Sequence, residues 1–318
     1  MKLGILGTGM IVQEALPVIC SLGFDEIYIL GTHRSHERCL KLVEKYHLNK
    51  YFFDYNEMLG SDVDVIYVAL PNHLHYEFSE KALRAGKHVI LEKPSVPTFA
   101  EFEELESLSR QNNVMLLEAV TLFYLPAFKK LQDTLGQIGD IKLAVLNYSQ
   151  FSSRYDAFKQ GIIAPSFDPK KFGGALMDIN VYNINAMVGL FGMPDSYEYR
   201  ANVEKGIDTS GILSCSFPNF KVACIGAKDC DMTAGCSIQG VDGIIDIPSP
   251  ISFFSEFSIK FRKGGSENFK LENPKHRMYY EFVEFMRIIE ENDKNACKQA
   301  LTYSRQTAEI LEIARKQI

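Results

Sequence analysis

The stretch GILGTGMIV, residues 4 to 12, places Gly7 and Gly9 directly behind a short apolar run. A turn of this kind can hold a diphosphate. The first glycine makes the tight bend, the second lets the backbone approach the anion, and the N-terminus of the following helix stabilises its charge. Thr8, Met10 and Ile11 belong to the same turn, and Val12 stands where a third small residue is usual. Taken alone, the two glycines fit an ordinary strand-to-helix turn equally well. A second set of residues is Gly31-Thr32-His33-Arg34-Ser35. A dinucleotide fold carries an acid near here for the ribose hydroxyls. Asp25 and Glu26 have about the right separation from the glycines, but they begin the second predicted strand instead of ending it. No carboxylate at the carboxyl end repels a phosphate. Arg34 can therefore hold one, with His33 beside it and with Thr32 and Ser35 as hydrogen-bond donors. The expected cofactor is NADP in preference to NAD; the competing reading is a solvated helix start.

Such residues need a scaffold that brings strand ends together. In residues 1–120 apolar runs alternate with helical patterns. Strands are predicted at 2–6, 26–30, 51–54, 64–70, 88–92 and 114–119, and helices at 10–22, 35–47, 75–86 and 98–113. The run DVIYVAL (64–70) is apolar enough to be buried on both faces of a parallel sheet. Strands separated by helices predict an α/β, doubly wound parallel sheet, in which the glycine turn opens the first helix. The second half differs. A long strand is predicted at 139–151 and an apolar helix at 175–191, followed by β-rich segments at 196–204, 209–217, 220–227, 234–239, 243–247 and 252–262. Helices at 276–292 and 297–317 end the chain. The expectation is an α+β domain with an open, mainly antiparallel sheet. The boundary falls near Ala119 to Leu125, giving a dinucleotide-binding domain at 1–120 and a substrate and oligomerisation domain at 121–318 whose last helices pack back on the first domain. The aromatic run LFYLPAF (122–128) reads as core at that junction.

Composition narrows the partners. The chain has 318 residues, 46% of them hydrophobic and 23% charged, and a formal net charge of -6. That balance provides no field to attract nucleic acid or an anionic membrane. No run approaches the ~18 apolar residues of a membrane span, and no secretory signal is visible. Seven cysteines, an odd number without a CxxC pair, fit reduced thiols in a cytoplasmic protein. His73 and His75 have no ligand pair to complete a zinc site, so no metal is expected.

At LEKP (91–94) a strand ends in Glu-Lys-Pro at the carboxyl edge of the sheet. Together with GTGMI, PNHLH (71–75) and GGALMDINVYNINAMVGLFG (173–192), this resembles the Gfo/Idh/MocA family of glucose–fructose oxidoreductases and inositol dehydrogenases. The resemblance spans the whole chain. The glycine-rich run followed by Asp178 and then Tyr182 is similar to the dihydrodiol and xylose dehydrogenase branch, with Asn180 where glycine is usual. The resemblance implies a Rossmann first domain and a hydride-transferring oxidoreductase acting on a sugar, polyol or dihydrodiol-like molecule. It implies that Lys93 lies beside the nicotinamide and the reacting carbon, that Glu92 helps hold the cofactor, and that Pro94 turns the chain. It further implies that Leu70, Pro71, Asn72 and His75 border the nicotinamide side of the crevice, that Tyr182 exchanges the proton, and that Asp178 bonds substrate. A free phenol, with a pKa of about 10, is a poor base near neutrality, and a nearby ammonium favours its ionised form. That makes a lysine and a tyrosine a sensible acid–base pair, although the lysine could carry the proton itself. Arg154, in SSRYD (152–156), is a further candidate for substrate contact.

Two other functions remain open at this point. One is a non-catalytic protein that senses NADP or a metabolite on the same fold; the other is hydrolysis or elimination through transient oxidation. Aromatics on both parities of SFFSEFSIKF (252–261) hint at a second covered sheet face, and hence a homodimer or higher homo-oligomer.

Overall fold

A computed structural model describes residues 1–232, 235–271 and 275–318. The chain divides into two compact units, Met1–Ala119 with Met278–Arg305, and Val120–Arg277 with Gln306–Ile318.

The first unit begins with β1 (Lys2–Leu6), α1 (Met10–Ile19), β2 (Glu26–Leu30), α2 (His36–Tyr46), β3 (Lys50–Phe52) and α3 (Tyr55–Leu59). It continues with β4 (Val65–Val68), α4 (His75–Arg84), β5 (His88–Glu92), α5 (Phe99–Gln111) and β6 (Leu116–Ala119). Six parallel strands lie in the order β3-β2-β1-β4-β5-β6. β4 and β6 are buried at every position, as apolar strands covered on both faces must be. α1 stops at Ile19, short of the expected Leu22, because Ser21 closes the last turn with a bond to Val18 O (2.7 Å). The third strand is also shorter than 51–54. Asp54 leaves it to cap α3, accepting from the amides of Asn56 and Glu57. α5 opens with a reciprocal cap between Thr98 and Glu101.

In the second unit Pro126 starts α6 (Pro126–Thr134), so the aromatic run at 122–128 is the entrance to a helix with Leu122 and Phe128 fully buried. Then come β7 (Ile141–Ser149), α7 (Tyr155–Lys159), a five-residue π-turn at Leu176–Asn180 and α8 (Val181–Phe191). The strands β8 (Ser196–Glu204), β9 (Ile207–Ser216), β10 (Lys221–Ala227), β11 (Cys236–Gly240), β12 (Gly243–Ile247), β13 (Glu256–Phe261) and β14 (Ser266–Lys270) join β7 in an eight-stranded sheet. Its order is β14-β13-β12-β11-β7-β10-β9-β8, and it is antiparallel except where β10 runs parallel to β7. The strand expected at 234–239 begins at Cys236, and Ala234 lies outside the described residues. β14 was not expected. It is an exposed edge strand with one anchoring ring, Phe269, stacked on Phe257 at 4.7 Å.

The chain closes with α9 (Arg277–Glu290) and α10 (Lys294–Arg315). In the first unit Phe282 of α9 meets Tyr67 of β4 edge-on at 5.2 Å, and Arg305 of α10 pairs with Glu106 and Glu103 of α5. Among the described residues no helix is long and apolar enough to cross a membrane.

Candidate active site

In an open parallel sheet, ligands bind beyond the carboxyl ends of the strands where the strand order reverses. Here that point lies between β1 and β4. Gly7 leaves β1 with φ +104, a conformation side chains rarely adopt, and a Cβ there would stand 2.9 Å from Ala69 O at the end of β4. Gly9 caps α1 with an extended backbone, and a Cβ added to it would meet nothing within 4 Å. The first turn of α1 carries no acid. Thr8 is buried, while Gly9 and Met10 are exposed and Ile11 half-buried, so the turn presents backbone outward. Val12 is fully buried. The bulk at the third position therefore packs inward and leaves the front of the helix open. A bend, an open glycine and a helix N-terminus at the switch point suit a diphosphate.

At the end of β2 two of the expected phosphate ligands are held by each other. The Thr32 and Ser35 side chains form a reciprocal cap: Ser35 N donates to Thr32 Oγ1 and Thr32 N to Ser35 Oγ, while the Ser35 hydroxyl reaches Thr32 O. The two hydroxyls thus stand within their own turn, the Ser35 hydroxyl donating to Thr32 O while Thr32 Oγ1 accepts from Ser35 N. His33 and Arg34 remain exposed at that edge, with His33 and His36 both stacked on Phe53.

The Leu70-Pro71-Asn72 turn follows β4, with Leu70 and Asn72 half-buried and Pro71 exposed. His75 behaves differently from the expectation that it borders a ligand. Its side chain is wholly buried; Nδ1 lies 2.9 Å from Pro94 O and 3.0 Å from Ser95 O, and Nε2 lies 2.7 Å from Leu70 O. Both ring nitrogens face backbone carbonyls, so the ring lies between the two loops and presents no nitrogen outward; in its neutral form it donates through one of them. Burial holds its pKa below the ordinary histidine value, although the three carbonyls act in the opposite direction.

One of those loops is the Lys93 turn. Glu92 closes β5, buried, and accepts from the Tyr67 hydroxyl. Lys93 is half-buried and joined to Pro94 by a cis peptide. On the far side of the turn, Ser95 N donates to Glu118 Oε1 of β6 at 2.8 Å. Glu118 was missed in the sequence, where the only signal was an acid inside the apolar strand LLEA. Burial raises its carboxyl to about 7, the nearby Glu92 charge adds to the rise, and bonds from Ser304 and Ser95 together with the Lys93 charge oppose it. The lysine turn is thus clamped through its carbonyls by His75 and through an amide by Glu118.

In the second unit Asp178 sits within the π-turn, where Val181 N reaches back to Leu176 O. Tyr182 follows on the first turn of α8, half-buried, its ring 5.6 Å from that of Tyr148 on β7. Asn180, in the place usually held by glycine, donates to Cys224 O at 3.1 Å, and Gly226 opposite leaves the room, since a Cβ there would lie 2.7 Å from Asn180 Cβ. Arg154 is half-buried at the start of α7 and reaches Ser166 Oγ at 3.4 Å. Ser166 O in turn accepts from Lys228, which also holds Asp178. Arg154, Ser166, Lys228 and Asp178 thus form one connected group; no pattern in the sequence singled out Lys228 or Ser166.

The comparisons with known proteins agree with this fold. The family model described as "Oxidoreductase family, NAD-binding Rossmann fold" (Gfo/Idh/MocA) matches residues 1–120. The chain is 35% identical over 322 residues to scyllo-inositol 2-dehydrogenase (NADP(+)) IolU of Bacillus subtilis, covering 100% of this chain and 97% of that protein. It is 25% identical over 338 residues to human trans-1,2-dihydrobenzene-1,2-diol dehydrogenase, with coverage of 100% and 97%. The fold superposes on KijD10, a 3-ketoreductase from Actinomadura kijaniata solved with NADP and TDP-benzene, with a TM-score of 0.85 at 22% identity and coverage of 100% and 97%. Similarity to IolU along its full length, on a scaffold whose glycine turn opens at the sheet's switch point, places the chain in the Gfo/Idh/MocA family of oxidoreductases.

Proposed function

We propose that this chain interconverts a hydroxyl and a carbonyl group on a polyol or sugar, using NADP(H). The observation that carries this reading is the open glycine turn at the β1–β4 switch point, with Arg34 instead of an acid at the end of β2. The NADP-dependent inositol dehydrogenase among its relatives supports the same cofactor and substrate class.

The backbone from Gly7 to Ile11 would hold the diphosphate, Arg34 and His33 the ribose phosphate, and Leu70, Pro71, Asn72 and Glu92 the nicotinamide side. When bound, the nicotinamide accepts or donates the hydride. The chain's own residues do the rest. Tyr182 takes the proton from the substrate hydroxyl, or returns it to the carbonyl oxygen. The Lys93 ammonium stabilises negative charge growing on that oxygen, and Asp178 and Arg154 orient the substrate. A positioned acid–base group contributes about 100- to 10,000-fold.

The test is a screen of polyols, sugars and dihydrodiols with NADP and NAD, read by nicotinamide absorbance. Turnover of a polyol or sugar with NADP supports the reading; none in either direction refutes it. Lys93→Ala should abolish turnover while NADPH still binds, and Tyr182→Phe should slow the chemical step by at least about 100-fold. An unchanged rate in either variant removes that residue from the site.

The exposed face of the large sheet supports self-association. Leu143, Ile212 and Ile244 are 39%, 45% and 44% exposed, and Val145, Ala223 and Ile225 lie half-buried on the same face. A second copy covering this face would remove it from water. Sedimentation of Ile212→Lys with Ile244→Glu should show dissociation; an unaltered oligomer places the interface elsewhere. The seven unpaired cysteines support a reducing, cytoplasmic setting.

A further inference from the structure

Lys228 is the most deeply buried cation of the second unit's candidate site, with its side chain 1% exposed. It follows β10 and is fixed through its own backbone, Lys228 N donating to Thr209 O (2.8 Å) and Lys228 O accepting from Ser152 N (2.8 Å). Its ammonium donates to Ser166 O at 2.5 Å and to Asp178 Oδ2 at 2.7 Å, and stands 4.2 Å from the centre of the Phe167 ring. Phe167 is itself fully buried, in a cluster with Tyr155, Phe158 and Ile207.

The asymmetry of the pair is informative. Asp178 keeps 38% of its side chain exposed, whereas its partner keeps almost none. An aspartate that exposed needs no ion pair to remain solvated. Burying a lysine beside it is expensive, and an apolar residue of similar volume would often serve the fold as well. What the lysine adds is direction. One carboxylate oxygen is held on a fixed donor anchored from β10, β9 and the 152–154 segment, which sets the plane of the other. The start of the same π-turn is pinned separately by Asp208, which accepts from Leu176 N (2.6 Å) and the Tyr199 hydroxyl (2.8 Å). Backbone and side chain of the turn are therefore fixed by different buried groups.

We infer that Lys228 is a positioning residue, holding the Asp178 carboxylate so that it accepts a hydrogen bond from a substrate hydroxyl next to the reacting carbon. This rests on the oxidoreductase reading above and makes it narrower. An ionised carboxylate only accepts, so it selects a partner that donates, as a vicinal polyol does.

The test is a double-mutant cycle of Lys228→Gln and Asp178→Asn, measured on kcat and KM for a polyol that the wild-type enzyme oxidises, with NADPH binding followed by fluorescence. Each single variant should lower kcat/KM about 10- to 100-fold, mainly through KM, as loss of a hydrogen bond to a charged group does. The double variant should be no worse than Asp178→Asn by more than about threefold, because Lys228 acts through Asp178. NADPH affinity should hold within about twofold, and Lys228→Arg, which keeps the charge, should recover part of the loss. Losses that multiply, or a Lys228→Gln enzyme with unchanged kcat/KM, overturn the inference. So does failure of both the Gln and Arg variants to fold and bind NADPH, which would make the pair a structural staple. A wild-type protein that oxidises no polyol or sugar refutes the functional reading instead, and with it the role given to Lys228.

Discussion

The two glycines of the opening turn should fail in opposite ways when each is replaced by alanine. Gly9 has φ −72 and ψ −175, open to any residue, and an added Cβ meets no atom within 4 Å. Lost backbone freedom in the unfolded chain favours the Gly9→Ala fold by about 0.4–1 kcal/mol. Alanine is a poorer helix cap than glycine by a comparable amount. The net change in stability should stay within about 0.5 kcal/mol. The same methyl fills the space in front of the helix where a diphosphate must approach. Losing one or two charge-assisted bonds to backbone amides costs about 1.5–3 kcal/mol each, an affinity drop of at least about 10- to 150-fold. Gly7→Ala is the contrast. Its φ of +104 costs about 1–3 kcal/mol for a side-chain residue, and its Cβ would press on Ala69 O at 2.9 Å. This variant should therefore lose stability whether or not it binds. Urea unfolding and NADPH fluorescence titration, run on both variants, separate the two roles. A Gly9→Ala protein that binds NADPH like the wild type refutes the placement of the diphosphate. One that loses as much stability as Gly7→Ala refutes the claim that Gly9 faces open space.

Arg34→Ala should reduce the preference for NADP over NAD by at least about tenfold, the expected loss of a charge-assisted phosphate contact; an unchanged ratio of kcat/KM for the two cofactors would contradict the assignment. Glu118 has a folded-state pKa of about 7 against an ordinary 4.5, because burial favours the protonated form. Its favourable contribution is fully present below pH 4.5 and is lost as pH rises through about 7. Compared with Glu118→Gln, the wild type should therefore lose up to about 3 kcal/mol of stability across that interval and run parallel outside it; urea midpoints that differ by a constant from pH 4 to about 8 would show that the carboxyl does not titrate there.

Much of the scaffold was readable because its signals are local. β1, β2, β5, β8 and β12 span the segments that apolar patterning predicts. Errors occurred where a side chain changed role. Asp54 looked like the end of a strand and is a helix cap. β14 has almost no buried face, so its pairing with β13 leaves no alternation to read. The Leu176–Asn180 segment is expected as helix and is a π-turn; Asn180 and Asn183 beside it donate to Cys224 O and Ile225 O of β10, contacts from distant sequence that helix propensity does not contain.

The site divides along the same line. Gly7, Lys93 and Asp178 announce themselves by neighbours within a few residues. The groups that hold them do not: His75 grips Pro94 and Ser95 from 19 and 20 residues away, Glu118 holds Ser95 from 23, and Lys228 holds Asp178 from 50. These are titratable groups sunk in the core, and the sequence does not show which turn each one holds: His75 stands in a recognisable motif but gives no sign that it faces inward, and Glu118 is a single acid in an apolar run. This separation has a functional consequence. Lys93 and Asp178 stay half-buried, while the groups that hold their turns are wholly or almost wholly buried. His75 and Glu118 fix the lysine turn from two sides, and both have shifted ionisation, the histidine downward and the glutamate to about 7. A change of protonation at either would alter the turn without touching the ligand surface. The pH dependence of turnover should therefore carry the signature of these buried supports, and Glu118→Gln should remove the part of that profile that falls near pH 7.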